Sequence, residues 1–165
     1  MSAFTERLVL TALAEVGVKE VGTSNRGPRV DEYQRATWLE EKDWGPWCAA
    51  FVCWCVRGAM RIEGVKETAG FQRPQTARAF DFENWSHKQD RTTQTAKPAG
   101  ISIQRGDLVI FSFSHIGIAT GPPDAEGIFP TVEGNTNAGG SRTGGMVCEA
   151  RRSVRGLRSR IRFMI

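Results

Sequence analysis

The sequence predicts an α+β fold in which N-terminal helices pack on a C-terminal antiparallel β-sheet. Three observations predict it. In the first half, apolar residues recur three and four positions apart, the spacing of a helix with one buried face. From Arg105 onward the pattern changes to runs of branched and aromatic residues, the composition of strands. The helices precede the strands and do not alternate with them, which argues against βαβ units and a parallel sheet. At 165 residues the chain suits one domain, 1–165, with a single sizeable core. No internal repeat, low-complexity stretch or domain boundary stands out.

The first helix is expected over Phe4–Val16, where Leu8, Leu10, Leu13, Ala14 and Val16 form a stripe and Gly17 ends the run. A turn-rich loop follows through Gly27 and Pro28. Val30, Tyr33, Ala36 and Trp38 or Leu39 resume a helical pattern. Glu40 to Asp43 is a solvated turn leading to a helix over Trp47–Val56, apolar on every side and therefore buried. Pro46, with fixed φ and no amide hydrogen, suits that helix's first turn. A further helix is expected within Phe71–Phe82, from near Pro74. The polar stretch Asn84–Ala99, with His87, reads as a long exposed loop. Leu108–Ala119 reads as β-structure that Ser112 and Ser114 divide into two strands, with Val109, Phe111, Phe113, His115 and Gly117 on one face. A strand over Ile128–Glu133, a flexible Gly134–Gly140 loop and strands over Met146–Ala150 and Leu157–Ile165 complete the sheet. In the last strand Arg158, Arg160 and Arg162 alternate with Ser159, Ile161 and Phe163, predicting one basic face and one buried face.

The net charge of +4 is a mild bias toward anionic partners and too weak to choose among them. The basic residues are dispersed and no aromatic stacking platform accompanies them, so nucleic-acid binding has little support. No apolar run reaches the ~18 residues of a membrane span. The N-terminus lacks a basic region followed by an apolar core and a cleavage site, so a protein made in the cytoplasm without a signal peptide is expected. Of the four cysteines, Cys48, Cys53 and Cys55 crowd into one helix and Cys148 stands apart. There is no C-x-x-C pair, so zinc-ribbon and thioredoxin readings fail. Cys53 and Cys55 point to different helix faces and read as reduced core residues.

Cys48 is different, because it opens the buried helix. The unpaired amides and dipole of a first turn favour an anion, the arrangement a thiolate nucleophile needs. The alternative is a small core residue like its neighbours. A cysteine hydrolase also needs an imidazole to hold the proton, a group to orient that imidazole, and donors for the oxyanion. His115 lies in a strand, on a face shared with apolar residues, and is either a satisfied core group or a placed base. Glu133 and Asn135 end a later strand with the same parity, and each can accept the imidazole's second N–H. Helix-borne Cys with strand-borne His is the general layout of papain-like sites.

Four motifs in order, Pro46-Trp47-Cys48-Ala49-Ala50-Phe51-Val52 with Trp54-Cys55, Gly106-Asp107-Leu108-Val109-Ile110-Phe111, His115-Ile116-Gly117-Ile118 and Val132-Glu133-Gly134-Asn135-Thr136, resemble a CHAP domain. CHAP domains (cysteine, histidine-dependent amidohydrolases/peptidases) are papain-like peptidoglycan hydrolases related to the NlpC-type peptidases. The resemblance covers roughly Val16 to the C-terminus. It implies Cys48 as nucleophile, His115 as general base and later acid, Glu133 as the group orienting His115, and Asn135 as a further polar member of the site. It implies a papain-like CHAP fold and an amidase or endopeptidase acting on peptidoglycan. Some family members bind calcium, but no Asp-x-Asp-x-Asp-Gly loop is present, so neither metal nor cofactor is expected. A monomer is expected, acting at the wall or in the periplasm after lysis or specialised secretion, as a small endolysin or an antibacterial toxin. A toxin of this kind implies a cognate immunity protein as partner. Two rivals remain: a non-catalytic binding module on the same fold, and a cysteine amidase for a small non-wall amide. The loops Gly22–Pro28, Asn84–Ala99 and Asn137–Gly145 are expected to line the groove and choose the bond.

Overall fold

Ser2 starts the first helix, α1 (Ala3–Leu13), through a reciprocal cap. Its hydroxyl accepts from the Thr5 amide at 3.3 Å, while the Ser2 amide donates to Thr5 Oγ1 at 3.1 Å. These coordinates form a computed structural model that describes residues 2–97, 101–142 and 144–165. Phe4, Leu8, Val9 and Ala12 make the buried face of α1. Leu10 and Val16, expected in the stripe, are 43% and 44% exposed, and the helix stops at Leu13, short of Gly17. A short helix, α2 (Pro28–Gln34), follows, with Pro28 in its first turn.

The central helix, α3 (Cys48–Glu63), runs seven residues beyond the expected Val56 and ends on Gly64 in the left-handed conformation. Pro46 lies outside it, because Trp47 takes the N-cap position and Cys48 is the first helical residue. The all-apolar character holds only for its first half. Beyond Val56, Ala59 and Met60 remain buried while Arg61 reaches solvent. Trp54 is half-buried and lies under the Arg29 guanidinium, 4.7 Å from the ring centre.

The expected Phe71–Phe82 helix is not formed. Residues 72–77 run without helix, and α4 (Asp81–His87) starts where Phe82 can bury and Trp85 can pack beside it. The stretch read as the Asn84–Ala99 loop therefore holds most of α4 and an edge strand, β1 (Thr93–Ala96). Pro98 and Ala99 lie outside the described residues.

Five more strands follow: β2 (Leu108–Phe111), β3 (His115–Ala119), β4 (Ile128–Thr136), β5 (Met146–Ser153) and β6 (Leu157–Phe163). All pairings are antiparallel, in the order β1-β6-β2-β3-β4-β5. The architecture is α+β, with four α-helices and one six-stranded antiparallel sheet among the described residues. The β2–β3 turn carries Ser114 at φ 62, and the register pairs Phe111 with His115 and Val109 with Gly117, so the expected face holds. Strand β4 continues through Gly134–Thr136, which were expected in a loop, with a bulge after Glu133 and Asn135 at φ 55.

Each face of the sheet has its own apolar cluster. Leu108, Ile110, Ile116, Ile118, Val132 and Ile161 pack toward α1 and α3. Ile103, Val109, Phe111, Ala119, Phe129 and Leu157 fill the other face. The arginines of β6 do not form an open basic face. Arg158 pairs with Glu83, Arg162 pairs with Asp107, and the buried Arg160 donates to the carbonyls of Gln94 and Ser102. Beyond β5, the segment leaving α1 adds a short edge pairing. Lys19 bridges to Met146, Gly17 donates to the Val147 carbonyl, and Val147 donates to that of Val18.

Candidate active site

Two glycines let α3 and the sheet approach closely. A Cβ on Gly134 would sit 2.6 Å from Phe51 Cβ and 3.0 Å from the Trp47 ring, so only glycine lets β4 pass beneath the first turns of α3. The Trp47 indole N–H donates to Glu20 at 3.0 Å and holds the helix start against the edge segment. A Cβ on Gly117 would meet Glu133 Cγ at 2.6 Å, so β3 leaves space there for the Glu133 side chain.

Cys48, His115 and Glu133 meet at this junction. The His115 side chain is fully buried. Its Nε2 is 2.8 Å from Glu133 Oε2, and its other nitrogen, Nδ1, is buried and forms no well-shaped hydrogen bond. Cys48 is nevertheless close enough to act on the ring. Burial alone would push the imidazole pKa down; the Cys48 thiol and the Glu133 carboxylate outweigh it and raise the pKa from 6.5 to about 9. The ring stacks on Phe113 and Phe111, with centroids 5.8 and 6.2 Å away, which fixes its plane.

Glu133 is held from three further sides. Arg152 forks onto it, Nε to Oε1 at 2.8 Å and Nη2 to Oε2 at 2.5 Å, and the Thr131 hydroxyl donates to Oε1 at 2.5 Å. Burial would raise this carboxyl's pKa; Arg152 and His115 overcome it and bring the pKa down to about 2. The Arg152 guanidinium in turn lies over Phe111 and Phe113, 5.2 and 5.3 Å from the ring centres, and donates to the Gly140 carbonyl at 3.0 Å. The result is a chain of polarised groups, Arg152–Glu133–His115, ending at Cys48.

Of the four residues named from sequence, the structure thus brings Cys48, His115 and Glu133 together. Asn135 is 2% exposed two residues beyond Glu133, and its side-chain N–H₂ has no partner among the described residues. The imidazole's carboxylate partner is Glu133, and no hydrogen bond joins Asn135 to the ring. Arg152 and Thr131 were missed. The parity of β4 already placed Thr131 on the face of Glu133, but the Phe129–Arg152 register that carries Arg152 across from β5 depends on where the strands pair.

Cys48 is 7% exposed and lines a groove of about 480 Å³. Pro46, Ala77, Arg78, Ala79, Phe80, Asp81, Ser114 and Arg142 complete its walls. Among the described residues of the three expected groove loops, Asn137–Gly145 contributes Arg142, and neither Gly22–Pro28 nor the described part of Asn84–Ala99 lines it. Cys53, Cys55 and Cys148 are also free and buried, and burial pushes each of those thiols up. A second cavity, about 540 Å³, lies against Arg152, Thr131 and Gly139–Gly140. Among the described residues no three His, Cys, Asp or Glu side chains form a group able to hold a metal ion. No helix there is long and apolar enough to cross a membrane. No protein-family model matches this chain, and comparison with curated proteins finds no match.

Proposed function

We propose that this protein is a cysteine amidohydrolase of the papain-like CHAP type, acting on amide bonds in the peptide part of peptidoglycan. The observation that carries the proposal is how the His115 ring is committed. Nε2 is tied to an anchored carboxylate, while Nδ1 has no well-shaped hydrogen bond among the described residues, on a ring that Cys48 also acts on. A satisfied core histidine would have both nitrogens bonded. The groove on which Cys48 opens supplies room for a substrate.

In this reading His115 holds the Cys48 proton, and the Cys48 thiolate attacks the amide carbonyl. The Cys48 backbone N–H, unpaired in the first helical turn, receives the developing oxyanion. The His115 imidazolium gives its proton to the leaving amine nitrogen, the C–N bond breaks, and a thioester remains. Neutral His115 then takes a proton from water as the water attacks the thioester carbonyl. Collapse releases the new carboxylic acid and restores the thiolate beside the imidazolium. Glu133 keeps the ring oriented and favours its charged form, and Asn135 is a further polar member of the site. The chain acts alone, as an endolysin or a secreted antibacterial toxin, reaching the wall through lysis or specialised secretion.

The test is digestion of purified peptidoglycan by the intact protein and by Cys48→Ala, with fragments identified by mass spectrometry. Fragments from the intact protein alone are expected, and their new ends name the bond. No fragments from either protein across several wall chemistries would overturn the proposal.

A further inference from the structure

The walls of the Cys48 groove carry an uneven set of charges. Elsewhere on the molecule several arginines are taken up by acids, among them Arg105 by Glu6, Arg151 by Asp124, Arg152 by Glu133, Arg158 by Glu83 and Arg162 by Asp107, while Arg35, Arg57, Arg61, Arg73, Arg91 and Arg155 pair with no carboxylate among the described residues and stand away from the groove. Arg78 and Arg142 are both exposed, and neither guanidinium has a carboxylate partner among the described residues. These two stand in the groove with the nucleophile. Its single acid, Asp81, is half-buried and accepts from the Thr76 hydroxyl at 3.3 Å. Ser114, held at φ 62 in the β2–β3 turn, lines the same space.

An arginine is a fork of N–H donors that matches a carboxylate. Two of them around a thiol, without acids of their own to neutralise them, make a site whose missing partner is an anion on the substrate. We infer that the groove selects peptides carrying a free carboxylate close to the bond that is cut, with Arg78 and Arg142 as its ligands. This inference rests on the hydrolase reading for the role of Cys48, but the binding it describes does not require turnover. In the wall peptide, one such group is the α-carboxylate of a glutamate joined through its γ-carboxyl, and it is the one tested. Amidating that carboxyl removes the charge and leaves the scissile amide intact.

The test is calorimetric titration of Cys48→Ala, which cannot consume its ligand. The probes are a synthetic tetrapeptide with γ-linked D-glutamate and a free α-carboxylate, and the same peptide amidated there. The free acid is expected to bind about tenfold more tightly, the scale of one charge-assisted hydrogen bond. Arg78→Gln and Arg142→Gln, each added to Cys48→Ala, are expected to weaken acid binding by about that factor and to shrink the preference for acid over amide. The acid preference should shrink as salt is raised. Equal binding of acid and amide, preference for the amide, no binding of either, or arginine variants that leave the preference intact would each overturn the inference. Cleavage of peptidoglycan alongside equal binding removes the arginine assignment alone. Selective acid binding without any cleavage removes the hydrolase alone.

Discussion

At the scale of single residues, Glu133 decides how the site titrates. Its carboxylate, anchored by Arg152 and Thr131, is one of the two groups that raise His115 to about 9. In Glu133→Gln that anion is gone and the Arg152 charge faces the ring unneutralised, so both effects lower the imidazole pKa. The alkaline fall of kcat/KM, expected near pH 9 in the intact protein, should move toward the ordinary imidazole value of 6.5. The maximum itself should drop by about 10²–10⁴-fold. A pH profile of peptide hydrolysis reads both, and an alkaline limb left in place would show that Glu133 does not act on His115. Three of the groups in this site were legible from sequence for a simple reason. A cysteine opening an apolar helix, and a histidine and a glutamate at the same strand parity, are local patterns. Arg152 was not legible, because an arginine near the end of a strand looks like any solvated cation until the register of β5 on β4 brings it across.

At the scale of elements, the junction between α3 and β4 depends on Gly134. In Gly134→Ala the new methyl group falls 2.6 Å from Phe51 Cβ, and both elements must shift to admit it. Forcing volume into a close-packed contact costs about 1–3 kcal/mol. Urea unfolding is expected to show a loss of that size, and because the contact lies one turn from Cys48, activity should fall further than stability explains. Unchanged stability would mean that the helix start has slack. The helices and strands that fill the core were legible because burial imposes a period on them. The region from Phe71 to Ala96 misled, because its elements answer to other demands. Strand β1 is a polar Thr-Gln-Thr-Ala edge with no buried face, and its order comes from pairing with β6. Helix α4 is short and starts where Phe82 finds the core, not where Pro74 suggested.

At the scale of the whole molecule, the buried trio makes stability depend on pH in two directions. The folded pKa of Glu133, about 2 against an ordinary 4.5, gives stability that is complete above pH 4.5 and lost as pH falls through about 2. His115, at about 9 against 6.5, gives stability that is complete below pH 6.5 and lost as pH rises through about 9. Thermal melts should therefore place the contribution of this pair at its fullest between pH 4.5 and 6.5. In Arg152→Met the acid-side loss should be smaller and end at a higher pH, because without its strongest partner the folded carboxylate's pKa rises back toward 4.5. Melts of that variant with an unshifted acid limb would show that Arg152 does not hold the charge. The α+β class and the segregation of helices from strands were legible at this scale, since they need only the order of periodicities along the chain. The sheet order was not, since it depends on which edges meet.

The pairing of residues 17–20 with the start of β5 has a consequence for the protein's life in a crowded solution. An exposed strand edge offers unpaired amides and carbonyls on which a stranger's backbone can add, the first step toward fibrous aggregates. Here Gly17, Val18 and Glu20 exchange hydrogen bonds with Gly145 and Val147, so the chain blunts its own edge with the segment that leads out of its first helix. Opening that seam would uncover a growth template and loosen the Trp47 anchor in one event, coupling resistance to aggregation to the integrity of the site.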